Sequence, residues 1–193
     1  MRLSTMDTGY GRMDRLRLAT LGRFGGPAIA DAAKTFLFRS DWGRPFLGIA
    51  QMLLRGRSTW TVAERELFAT LVSSWNRCSY CVSTHGGVAR RGAGDDLIDR
   101  AVADWRTAPL RPPARAMVAF LEKMTLAPET LTTADADAIR AAGADDDAIR
   151  QAIYIGWWFN VANRTADAYG LEAPSARFLP GAVRFMSAVG YRL

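Results

Sequence analysis

The chain has 193 residues, 49% hydrophobic and 23% charged, enough apolar material to bury one core and too much to stay disordered. The net charge of +6 is uneven: residues 1–60 hold ten Lys/Arg against four Asp/Glu, whereas residues 61–193 hold fifteen of each. With 23 of the 25 basic residues arginine, no basic stripe interleaved with aromatics and no helix-turn-helix pattern, no nucleic-acid partner is expected.

The opening run MRLSTMDTGYGRMDRLRL is polar and charged throughout and lacks the apolar stretch of a signal peptide. A cytoplasmic protein is therefore expected, with residues 1–20 a flexible arm. The longest uncharged apolar stretch, AIYIGWWFNVA at 152–162, falls short of the about 20 apolar residues that span a bilayer. It is read as a buried helix, and no membrane partner is expected.

Helix starts and stops recur along the chain, and no run of alternating β-branched residues demands a strand. The predicted class is all-α, a single-domain helical bundle over residues 21–171. Pro27 opens a first helix to about residue 38, and Pro45 a second through FLGIAQMLL that Gly56 stops. Thr61 with Glu64 makes a capping box for a third, TVAERELFATLVSSWN. A fourth carries residues 78–91 and ends at Gly92, and a fifth begins near Asp95. Pro112 and Pro113 open a sixth, and Thr132 with Asp135 caps a seventh that Gly143 stops. The longest starts at Asp145, where Asp146 and Asp147 suit the positive end of the helix dipole, and reaches Tyr169 before Gly170. The tail, 172–193, carries Phe178, Phe185, Met186 and Tyr191, and a tail this apolar is expected to dock on its own domain or on a neighbouring subunit. Residues 92–102 also match residues 143–153 at an offset of 51, each reading as a helix stop, a tight turn and an acid-capped restart. A duplicated unit and a generic helix hairpin explain the match equally well.

The scarce residues point to chemistry. The only two cysteines and the only histidine, Cys78, Cys81 and His85, fall within eight positions as C-x-x-C-x-x-x-H. On an α-helix, at about 100° per residue, they occupy an arc of roughly 60°, so one face presents both sulfurs and the imidazole. Cys78 sits at the helix start, where free N–H groups favour thiolate. His85, one turn beyond Cys81, can take up a thiol proton and return it.

Three readings fit these residues. A cycling dithiol suits a reducing cytosol. A structural zinc site would have to recruit a carboxylate such as Glu66 as its fourth ligand. Two buried inert cysteines beside a core histidine would make the chain a non-catalytic redox-sensing or structural module. A thioredoxin fold is disfavoured, because its CxxC would follow a strand. Glu66, one helix earlier, shares its face with Ala69, Thr70 and Ser73, small residues that would let the cysteine helix come close. Held there, its carboxyl would have a raised pKa and could exchange protons with a thiol; the alternative is a solvated side chain on a polar face. Asn160, Asn163 and Arg164 lie in the helix rich in Trp157, Trp158 and Phe159. There they either hydrogen-bond a neighbouring helix or subunit or orient a substrate.

Glu66, eleven residues and then Cys78-x-x-Cys81-x-x-x-His85 resembles the motif of alkylhydroperoxidase D-like proteins in the carboxymuconolactone decarboxylase superfamily. REL…NRCSYCVSTH, with FNVANR at 159–164 and the Gly143 turn, resembles still more the peroxidase-related branch of that superfamily, over most of residues 45–171. The resemblance implies an all-α fold of that type, a homo-oligomer and no bound cofactor. It also implies antioxidant thiol-dependent reduction of a peroxide or disulfide substrate by the CxxC pair, which a dithiol reductant or partner redox protein then restores. The roles it implies are Cys81 as the more reactive thiol, Cys78 as its disulfide partner, and Glu66 and His85 as the proton relay. The residues by themselves leave the attacking sulfur open, since the helix start favours Cys78 and the i,i+4 histidine favours Cys81. Members that decarboxylate lactones do not depend on this cysteine motif, so that activity is not expected. Where better-defined members often carry histidine just before the second cysteine, this chain has Tyr80. A phenol with a pKa near 10 relays protons poorly at neutral pH, which implies slower turnover or a different oxidant. Tyr80 and Asn163 are auxiliary site residues on this reading.

Overall fold

Helix α4, Val62–Trp75, is the axis on which the other helices pack, and every residue from 65 to 73 is buried. The computed structural model describes residues 2–38 and 40–191; Met1, Arg192 and Leu193, the ends of the expected arm and tail, lie outside the described residues. Around α4 stand α3 (Ser40–Arg55), α5 (Ser79–Ala93), α6 (Asp95–Asp104), α7 (Pro112–Leu126) and α9 (Asp146–Tyr169). Helix α8 (Thr133–Ala141) packs on α7 and α9. The remaining helices form a second layer: α1 (Arg12–Gly25) pairs with α2 (Pro27–Leu37), and α10 (Leu179–Val189) lies against α5 and α1. The architecture is an all-α, single-domain bundle, with no strand among the described residues. No described helix is long and apolar enough to cross a membrane.

The main core joins Leu67, Phe68, Leu71 and Val72 of α4 to Met117 and Leu121 of α7 and to Ile155 and Phe159 of α9. A smaller one joins Tyr10, Leu21, Ile29, Leu37 and Ala182, and Tyr80 packs against its edge. Cys78 and Cys81 lie with Ala166 in a third cluster, which Tyr80 and Leu171 border.

The capping boxes of Thr61 with Glu64 and of Thr132 with Asp135 form as predicted, and Asp145 caps α9 through Ala148 N–H. Three expectations are corrected. The second predicted helix starts five residues before Pro45, which lies inside α3. Phe46 there stacks on Trp42 and Phe36 of the neighbouring turn and helix and on Trp158 of α9, so tertiary packing offsets the missing proline N–H. The fourth helix runs past Gly92 to Ala93 and turns at Gly94, whose φ is 90°. The matched turns are consequently built differently: in the first the left-handed glycine is Gly94 and abuts α6, while in the second it is Gly143, with Ala144 and Asp145 intervening before α9. Helix α1 has no counterpart among the predicted elements, because its arginine-rich sequence buries only Leu21 and Gly25 and shows little apolar periodicity.

The turn from α4 into α5 positions the cysteines. Arg77 N–H donates to Ser74 O (2.9 Å) and Cys78 N–H to Ser73 O (3.0 Å), a Schellman closure in which Arg77 takes the left-handed position at φ 61°. Cys78 thus ends one helix and caps the next. An exposed arginine supplies no compensation for that conformation, so Arg77→Gly is expected to raise stability by about 0.5–1 kcal/mol, read as a higher urea midpoint at unchanged m-value. Arg77→Val should lower it.

Candidate active site

Glu66 projects from the middle of α4 and is 0% exposed. A carboxylate so buried needs donors on both oxygens. Arg55 Nη1, from the C-terminal turn of α3, reaches Oε1 at 2.5 Å. The Tyr191 hydroxyl, just past α10, donates to the same oxygen at 2.7 Å. His85 Nδ1 lies 2.8 Å from Oε2. Because a carboxylate can only accept, His85 carries its proton on Nδ1, and the Tyr191 oxygen, 3.1 Å from that nitrogen, shares it. In the neutral imidazole the lone pair then lies on Nε2.

The ring of His85 is held on two sides. Phe159 meets it edge-on at 4.6 Å and Tyr191 stacks on it at 5.7 Å. Burial alone would raise the Glu66 carboxyl, but the hydrogen bond and charge of His85, the Arg55 charge and the Tyr191 hydroxyl outweigh it and hold the group below its ordinary value. The sequence had suggested a raised value; His85 does most to reverse that, and Arg55 and Tyr191, which the sequence did not reveal, add to it.

Cys78 and Cys81 are both free thiols and both buried, at 0% and 4% exposure. Cys78 is held below the ordinary thiol value, chiefly because the Cys81 S–H donates to it, while burial and the Asp167 carboxylate act against this. Cys81 is pushed well above that value by being the donor, by burial and by the Cys78 charge, with an Asn163 hydrogen bond opposing. Charge therefore favours Cys78, yet access favours Cys81. Cys81 lines a cavity of about 120 Å³ that Cys78 does not reach. Leu21 of α1, Ile29 and Phe36 of α2, Phe46 of α3, Trp158 of α9 and Phe185 of α10 wall this cavity, and Tyr80, Thr84, His85 and Tyr191 border it. No Asp, Glu, Lys or Arg of the described residues lines it.

Tyr80 has its phenol pKa raised by burial and by the charges of the two cysteines, so it stays protonated and keeps an O–H to donate at the edge of the cavity. Asn163 is 0% exposed and ties α9 to the cysteine turn. Its Nδ2 donates to Ser73 Oγ (2.9 Å) and its Oδ1 accepts from Asn76 Nδ2 (3.0 Å), which also donates to Asn160 Oδ1 (3.0 Å). Arg164 stays on its own helix, donating to Asn160 O at 2.6 Å. The asparagines thus bond a neighbouring helix, and Asn163 also reaches Cys81.

The six residues singled out from the sequence, Glu66, Cys78, Tyr80, Cys81, His85 and Asn163, converge on one region. Arg55 and Tyr191 were missed. The only signal for them was indirect: a buried glutamate requires a cation and a further donor, and the sequence does not say from where. Among the described residues no three His, Cys, Asp or Glu side chains gather as a metal site, and the Glu66 oxygens are engaged by three donors.

Folded Glu66 titrates below its ordinary value of 4.5. Its stabilising contribution is therefore complete above that pH and lost as the pH falls through the lower folded value. Glu66→Gln should cost about 3 kcal/mol at pH 7 by stranding Arg55, and the gap to wild type should narrow as the pH is lowered below 4.5, measured by urea unfolding across pH 3–7.

Three solved structures share the architecture. A peroxidase-related protein from Silicibacter sp. TM1040 is 28% identical over 90% of this chain and 91% of its own, with a TM-score of 0.77. A peroxidase-related protein from Ralstonia eutropha JMP134, described as an alkylhydroperoxidase AhpD core, is 26% identical over 89% and 90%, with a TM-score of 0.75. The debrominase Bmp8 in its apo form, 18% identical over 90% and 95% with a TM-score of 0.70, shares the fold. No protein-family model matches the chain. No curated protein matches it either.

Proposed function

We propose that this chain, a structural homologue of the peroxidase-related proteins of the alkylhydroperoxidase D-like fold, is a thiol oxidoreductase that reduces a peroxide, or a disulfide on a partner, with Cys81 and Cys78. The observation that carries the reading is the position of Cys81, which has an apolar cavity on one side and a hydrogen-bonded second thiol on the other. A structural thiol pair would have no need of that opening.

The chemistry runs on two electrons and the two thiol protons. Loss of the Cys81 proton to His85 Nε2 leaves a Cys81 thiolate facing the cavity. This thiolate attacks the distal peroxide oxygen, the O–O bond breaks, and a sulfenic acid forms on Cys81 while the alkoxide leaves as alcohol with one of the two protons. Cys78 then attacks the Cys81 sulfur, the S–O bond breaks, and water departs with the other proton as the disulfide closes. An external dithiol reduces the disulfide by thiol exchange. With a disulfide as oxidant, the same pair passes through a mixed disulfide. His85 moves the protons, Glu66 orients it, and Tyr80 donates a hydrogen bond toward the reacting oxygen.

Cys81→Ser and Cys78→Ser should each reduce the consumption of tert-butyl hydroperoxide with dithiothreitol to the uncatalysed rate, and one equivalent of hydroperoxide should remove both free thiols of the parent. Turnover at the parent rate in either variant, or thiols that persist, would sink the mechanism and leave the cysteines as inert packing.

A further inference from the structure

The C-terminal segment does more than cover apolar surface. Helix α10 seats closely on the cysteine helix: a Cβ on Gly87 would lie 2.4 Å from Val183 Cγ2. The chain then leaves α10 through Gly190, at φ 69° and ψ −134°, a conformation that L side chains avoid. Tyr191 N–H donates to Gln51 Oε1 at 2.8 Å, and a Cβ on Gly190 would fall 2.2 Å from that same oxygen. Gln51 and Arg55 lie one turn apart on α3, and the Arg55 guanidinium sits 5.0 Å over the Tyr191 ring. Gly190 and Gln51 together swing one phenol inward, to within hydrogen-bond distance of Glu66 and His85.

We infer that Tyr191 is a positioning residue of the acid–base site, delivered by the Gly190 turn to hold Glu66 and His85 in the arrangement that leaves His85 Nε2 free to accept a proton. The inference rests on the thiol oxidoreductase reading above. Its physical content is a division of labour on two atoms. The Tyr191 hydroxyl donates to Glu66 Oε1, withdrawing charge from the carboxylate, and its oxygen accepts from Nδ1–H, fixing the tautomer. Without the hydroxyl, Glu66 faces His85 with more of its negative charge, holds imidazolium more tightly, and the base form appears only at higher pH.

The test is the pH–rate profile of hydroperoxide reduction with saturating dithiothreitol. Tyr191→Phe keeps the stacked ring and removes only the hydroxyl; its acid limb should move to higher pH by about 0.5–1 unit, with rates converging at high pH. Gly190→Ala, which leaves Tyr191 intact but displaces it, should shift the limb in the same direction. A Tyr191→Phe profile superimposable on the parent's overturns the inference, as does a proportional loss at every pH, which would mark Tyr191 as structural only. Should Tyr191→Phe fail to fold, the limb of Gly190→Ala decides by the same criterion. Cys81→Ser run alongside separates the two claims: activity in that variant defeats the thiol reading, whereas its absence with an unshifted Tyr191→Phe limb defeats only this one.

Discussion

Glu66 has a full negative charge and no exposed surface, and taking a carboxylate out of water costs several kcal/mol unless every lone pair it presents is answered. The three answers come from the end of α3, the middle of α5 and the second residue after α10. These segments are far apart in the chain, so a single buried oxygen pair fixes where three separate pieces of backbone must meet. The aromatic contacts follow from this convergence. Once Arg55 and His85 are drawn to Glu66, Tyr191 is confined between a guanidinium and an imidazole, and both contacts exploit its ring face. The placement of α10 thus sets where Tyr191 meets His85, although α10 contributes no side chain to this buried cluster.

A second set of constraints holds the sulfurs in place. The Schellman turn sets Cys78 at the junction of α4 and α5, and Ser73, Asn76 and Asn163 pin that turn to α9. Small residues on α4 make the close approach feasible, since Ala69, Thr70 and Ser73 are all fully buried and Thr70 lies against Gly86 of α5. The pair lies in apolar surroundings, where Cys81 holds the Cys78 thiol down and burial together with Cys78 pushes the thiol beside the cavity up. Such an arrangement protects the accessible thiol until a proton acceptor is engaged. It also explains how the chain accommodates Tyr80 between the cysteines, because a phenol kept neutral by burial adds no further negative charge beside a thiolate.

Much of this was legible in the sequence, and the part that was not has a physical explanation. Helix ends marked by local chemistry, such as the Thr61–Glu64 and Thr132–Asp135 boxes, fall where the residues put them, because capping depends on side chains within four positions. The face shared by Cys78, Cys81 and His85 follows from helical period alone. Pro45 and Gly92 misled because stacking of Phe46 and the continuation of α5 to Gly94 override local preference. Arg55 and Tyr191 were invisible for a different reason: their partner is 11 residues away in one case and 125 in the other, and nothing in either neighbourhood announces it. Arg55 reads locally as a helix-ending base and Tyr191 as one more apolar residue of a tail. Glu66 supplied the only lead, since a carboxylate on a face of alanine, threonine and serine is either solvated or answered, and being answered demands donors from elsewhere.

The charge balance of the buried site narrows how protons can move. In the state with a neutral imidazole and both thiols protonated, Glu66 and Arg55 cancel, and the buried cluster carries no net charge into a medium where each unpaired charge is costly. Adding a proton from solvent would leave the cluster at +1, and removing a thiol proton to solvent would leave it at −1. Passing the Cys81 proton to His85 does neither: it creates an imidazolium and a thiolate together, and the imidazolium remains paired with Glu66. On the proposed thiol chemistry, the lowest-cost route therefore keeps the proton inside the site until the departing oxygen takes it. On that proposal, this is the use of a histidine whose one nitrogen is committed to a buried carboxylate, and it is why the anchors of that carboxylate, Arg55 and Tyr191, would bear on the chemistry of a sulfur they do not touch.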